Sequence, residues 1–194
     1  MIDLMRRGIV TAIACHGATA IHDVEIAMLG ATSEDVGDTI RDGRFGMVRE
    51  TMAFFAEATK LAAYGSAVEE HRRDAGATRT QPRAAGTKGV GIGYGRAIGR
   101  MILARKLPHA RYSILATAAE LDLPATVHVA IGTDTVHMSP KMDGAALGTA
   151  TLADFHTLCG VVAAMADDGD GAGGVWCNVG SAVLLPEVFL KAVS

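Results

Sequence analysis

Charge of one sign is what this chain lacks most clearly. Its 194 residues hold 18 basic and 21 acidic side chains, a formal net charge of −3, and no long block of either sign. The electrostatic footprint of a nucleic-acid binder is absent, so nucleic acid is excluded as an expected partner. Long apolar runs are missing too. The longest, such as residues 9–15 and 183–185, fall far short of the roughly 20 residues that cross a bilayer, so no membrane partner is expected. The N-terminus, Met-Ile-Asp-Leu-Met-Arg-Arg-Gly, offers no apolar export segment with a small-residue cleavage site, and a cytoplasmic location follows as the expectation. The three cysteines, Cys15, Cys159 and Cys177, are an odd number with wide spacing and no Cys-x-x-Cys pair, which predicts reduced thiols and no zinc knuckle or redox motif.

What is present is hydrophobic, at 49%, enough for one substantial core, and nothing divides the chain into independent units. One domain over residues 1–194 is expected. Residues 9–14 form a short β-branched apolar run without alternation, the pattern of a strand buried on both faces of a parallel sheet, and residues 125–130 after Pro124 read the same way. Residues 174–178 read as a third, shorter strand, and a glycine-containing turn follows each run.

Between them lie helical patterns. Over residues 46–64, Val48, Met52, Phe55, Ala58 and Ala62 share a face opposite Arg49, Glu57 and Lys60. Thr151 with Asp154 reads as an approximate capping box before a stripe of Leu152, Phe155, Cys159, Val162 and Ala166. Ser113 can cap a helix over residues 114–121, and Pro186 with Glu187 suits the first turn of a last helix. Residues 71–88 lose their apolar side chains and predict a mobile connection. Residues 89–105 carry glycines at 89, 91, 93, 95 and 99 beside a stripe of Val90, Tyr94, Ile98 and Met101. They do not spell G-x-G-x-x-G and follow no strand, which favours close helix packing over phosphate binding. Both ends read as cut, with little before the first strand and an amphipathic pattern still running at Ser194.

This alternation predicts an α/β fold, and in parallel α/β sheets ligands sit beyond the carboxyl ends of the strands. Cys15, His16, Gly17, Ala18, His22 and Asp23 follow the first run, Gly132, Thr133, Asp134 and His137 follow the second, and Asn178, Gly180 and Ser181 follow the third. Glycine turns admit phosphate, helix starts favour anions, and a carboxylate such as Asp23 or Asp134 can accept from ribose hydroxyls. His128 inside its strand reads as a hydrogen-bonded core histidine and Cys15 and Cys177 as packing thiols.

Three stretches resemble the deoxyhypusine synthases. They are residues 8–29 with Cys-His-Gly-Ala-Thr-Ala-Ile-His-Asp, residues 112–134 running through Pro124 to Thr133-Asp134, and residues 173–192 with a glycine-rich turn before a helix. The resemblance implies a Rossmann-like parallel sheet with helices on both faces, binding NAD at subunit interfaces of a homo-oligomer, a tetramer. It implies cofactor contacts at Cys15, Gly17, Ala18, Asp23, Gly132, Thr133, Asp134, Asn178, Gly180 and Ser181. Where the family carries its reactive lysine the chain has Leu184, Leu185 and Pro186, with Lys191 further along, and Ile21 and His22 stand where the family has glutamates. The implied activity is a transferase or oxidoreductase acting on an amine or other small substrate, not deoxyhypusine formation, with His16, His22 or His137 as acid or base. Two other classes remain open. A metal-dependent hydrolase could draw on His16, His22, Asp23, His128, Asp134 and His137, and an inactive structural member would keep the fold without chemistry.

Overall fold

The computed structural model describes residues 1–73, 91–166 and 173–194. It is a mixed α/β structure, mostly helical, with a small two-stranded parallel sheet packed against helices. In chain order the elements are α1 (Ile2–Arg6), β1 (Ile13–His16), α2 (Gly17–Leu29), α3 (Val36–Thr39), α4 (Arg49–Arg73), α5 (Tyr94–Ala104), α6 (Ile114–Glu120), β2 (Ala125–His128), α7 (Gly144–Ala163) and α8 (Leu184–Val193).

β1 and β2 run in register, Ile13 beside Ala125 and His16 beside His128. Side chains alternate across a sheet, so Cys15, Ala125 and Val127 enter the core, which α2, α4, α5 and α6 complete through Val24, Phe55, Ile98 and Leu115. Thr126 and His128 share the other side of β2, where the Thr126 hydroxyl and His128 Nε2 are hydrogen-bonded at 2.9 Å. α8 packs on both strands, and its Leu185 is buried without joining that core cluster.

The third expected strand is not one. Residues 173–179 carry no regular structure, and Val175, Cys177 and Asn178 are exposed. The open edge of β2 is closed by α7 instead. Thr151 Oγ1 donates to the Val127 carbonyl at 3.2 Å and accepts the Val129 N–H at 3.3 Å, while Asp154 Oδ2 accepts the Val127 N–H at 2.6 Å. A strand edge needs partners for its polar groups, and here two helical side chains supply them. Thr151 and Asp154 are therefore helix-interior residues, not a cap. α7 starts at Gly144, where Asp143 accepts the Ala146 N–H at 3.0 Å, and the face it buries holds Leu147, Ala150, Asp154 and Leu158 while Leu152 is exposed. By length and composition α7 could cross a membrane, with a mean hydropathy of 1.3. Core helices share that property, and α7 packs on α4, α5 and β2.

Other expectations hold. Ser113 caps α6, accepting the Ala116 N–H at 2.9 Å. Tyr94, Ile98 and Met101 are the buried stripe of α5. Gly95 and Gly99 do serve close packing: a β-carbon on either would run into a backbone carbonyl, of Ala125 and of Leu115 respectively. The helix expected over residues 46–64 is α4, which extends to Arg73. The mobile connection expected over residues 71–88 lies, from residue 74 onward, outside the described residues.

Candidate functional site

The two strands end together, and so do the segments that follow them. His16 is the last residue of β1 and the N-cap of α2, its Nδ1 accepting the Thr19 N–H at 3.4 Å. A nitrogen that accepts a hydrogen bond carries no proton, so in the neutral ring the proton sits on Nε2. Among the described residues that Nε2 has no hydrogen-bond partner.

Beyond β2 the chain turns through Gly132 and Thr133 into a short 3-10 turn, Thr135–Met138. His137 holds this turn from inside. Its Nδ1 accepts the N–H groups of Gly132 at 3.1 Å and Asp134 at 3.3 Å, and its Nε2 lies 3.8 Å from Asp134 Oδ2. The side chains of both His137 and Asp134 are almost wholly buried.

Asp134 is the centre of the arrangement. Its carboxylate stands against the start of α2, where a β-carbon on Gly17 would overlap it. A helix N-terminus favours negative charge, and the chain's own carboxylate supplies it here. Burial raises the Asp134 pKa above the usual carboxylate range, with His137 and His16 opposing the rise. Sequence and fold thus bring together His16, Gly17, Gly132, Asp134 and His137. The turn at Gly46 abuts Thr135 and Met138, and Glu34 holds it by accepting the Gly46 N–H at 2.6 Å.

Cys15 apart, the remaining expected site residues stand exposed or bond other parts of the fold. Asp23 accepts from the Ser113 hydroxyl at 2.6 Å and from the N–H groups of Ile114 at 2.7 Å and Leu115 at 3.1 Å, so it secures the start of α6. Burial still pushes its pKa up against those bonds. Cys15 is buried, and burial, with the negative charges of Asp23 and Asp154, pushes its thiol well above the normal range. Cys15 and Asp23 line a small pocket with Ile13, Thr19, Ala20, Ile114 and Leu115. Its cavity volume of about 30 Å³ is far below the roughly 300–1,000 Å³ of small-molecule sites. Ala18 and His22 are exposed on α2, and Thr133 is exposed with its hydroxyl donating to the Ala130 carbonyl at 2.7 Å. Asn178 donates to the Ser181 carbonyl at 2.7 Å and Ser181 Oγ accepts the Leu185 N–H at 3.1 Å, so this third turn is tied to itself and to α8.

Two further acids are buried, Asp154, expected only as a capping residue, and Glu25, for which the sequence suggests no role. Asp154 accepts the backbone N–H groups of Tyr94, Gly95 and Val127, and burial raises its pKa to about 7 despite them. Glu25 accepts from Ser33 N at 3.1 Å and from the hydroxyls of Ser33 at 2.5 Å and Thr51 at 3.1 Å, joining α2 to α4. The signal for Asp154 was a lone charge in an otherwise uncharged 20-residue helix. Among the described residues no three of His, Cys, Asp and Glu are placed to hold a metal ion. No family model, no curated protein and no solved structure matches the chain.

Proposed function

We propose that the chain is an enzyme acting on a small molecule at the carboxyl edge of β1 and β2, with His16 as its acid–base group. The resemblance to deoxyhypusine synthases adds NAD as the cofactor and a Rossmann-like sheet with helices on both faces. The observation that carries the reading is the convergence of His16, Asp134 and His137 at the ends of two parallel strands, where open parallel sheets bind ligands.

The histidines divide by their bonding. His137 has Nδ1 committed to two N–H groups and Nε2 turned to Asp134, so its role is to hold the Gly132 turn. His22 is exposed on α2. His16 alone combines a fixed ring with an uncommitted Nε2–H, which suits proton transfer to a bound ligand.

NAD presents ribose hydroxyls and a pyrophosphate, and the residues suit them unequally. Asp134 can accept from a hydroxyl. A pyrophosphate at the start of α2 does not fit, because the Asp134 carboxylate already stands against Gly17 and two anions would compete for one helix end. In this reading the phosphates lie towards the exposed Gly132 turn. When bound, NAD would supply hydride acceptance. The reading excludes deoxyhypusine formation: Leu185 is buried where the family's lysine would fall, and Lys191 is exposed and paired with Glu187 at 3.5 Å. The exposed free thiol of Cys177 fits a reducing, cytoplasmic setting.

Calorimetry with NAD, ADP-ribose and the phosphate-free nicotinamide riboside tests this. NAD and the riboside should both bind, and Asp134→Ala should weaken both. Silence with all three ligands would overturn the proposal.

A further inference from the structure

The two most exposed large apolar side chains of the described residues lie near the C-terminal end. Val175 and Val179 are 84% and 81% exposed, and Val183 is 70% exposed. Soluble surfaces seldom gather such side chains without a partner to cover them. They lead into α8, which is amphipathic in an unusual way. Leu185 is buried and Val188 and Phe189 are half-buried, with the Phe189 ring stacked on Trp176 at 4.5 Å. The outward side presents Glu187, Leu190, Lys191 and Val193. Its charges are therefore one acid and one base, a helical turn apart and 3.5 Å from each other.

We propose that this face pairs two copies of the chain about a two-fold axis, α8 lying antiparallel on α8 with the axis between Glu187 and Lys191, level with Phe189 on the outward side. Charge selects the occupant. In an isologous contact each residue meets its symmetry partner, so the face must be self-complementary. Glu187 and Lys191 are placed symmetrically about Phe189, so antiparallel pairing sets Glu187 of each copy against Lys191 of the other. Leu190 and Val193 then meet apolar groups instead of water, and Val183 with Val179 extends the contact at its rim. The stacked Trp176 and Phe189 rings give the helix a firm seat beneath it.

Light scattering on the size-fractionated full chain at tens of micromolar measures the outcome. The unaltered protein should be a dimer or a multiple of it. Lys191→Glu, an exposed change that leaves the core alone, places like charges opposite each other twice and should weaken pairing by roughly tenfold or more. The double change Glu187→Lys with Lys191→Glu restores complementarity and should restore the dimer, while Leu190→Asp should yield monomer with its helical circular dichroism intact. A monomeric unaltered protein, an assembly indifferent to Lys191→Glu and Leu190→Asp, or a double variant that stays monomeric would each overturn the proposal.

Discussion

The Asp134 carboxylate fills the space that a β-carbon on Gly17 would need. The glycine that opens α2 is there for the protein's own anion, which the helix N-terminus and two histidines hold in place.

Gly17→Ala should therefore destabilise the fold by roughly 1–3 kcal/mol through overpacking, although alanine is the better helix former. In an Asp134→Ala background the same substitution should cost far less, because the obstructing carboxylate is gone. Urea titrations of the four proteins in the cycle measure the coupling. Equal costs in both backgrounds would show that the contact is not what requires glycine.

Asp154 links stability to pH. Burial raises its pKa from 3.8 to about 7, so the folded protein holds this proton more firmly than the unfolded chain does. Its contribution is fully present below pH 3.8 and is lost as pH rises through about 7. The melting-temperature advantage of the unaltered protein over Asp154→Asn should shrink from pH 4 to pH 7, whereas the raised carboxyls of Asp23 and Asp134 act equally in both proteins and cancel. A gap that widens over that window would contradict the assignment.

His128 moves the other way. Burial lowers its pKa from 6.5 to about 4, so the fold keeps the ring neutral and loses stability as pH falls through that interval. Imidazole nuclear magnetic resonance should show His128 titrating near 4 while it remains bonded to Thr126. A midpoint near 6.5 would mean that the ring is not buried as described.

Much of this was legible in the sequence, and the reasons differ by element. Both strands of the sheet, the Ser113 cap, the α5 stripe and the packing role of its glycines followed from apolar runs and local spacing. The convergence of His16, Asp134 and His137 followed from the rule that parallel strands end together. The third strand was misjudged because Val175, Trp176 and Cys177 are apolar whether or not a neighbour pairs with them. The edge that such a strand would have joined is taken by Thr151 and Asp154, and no local pattern announces a helix that hydrogen-bonds sideways to a strand. The bonds of Asp23 were illegible for a related reason: the start of α6, which its carboxylate secures, lies far along the chain.

The central claim is that His16 faces the ligand at the carboxyl edge of the sheet. The most direct measurement is a titration of histidine-labelled protein with NAD, followed through the imidazole nitrogen resonances. Nε2 of His16 should shift progressively and saturate, His137 should shift less through the Gly132 turn, and exposed His22 should stay fixed. Saturable binding that leaves His16 unmoved, or that moves only His22 or the distant His109 and His156, would place the ligand elsewhere and contradict the account.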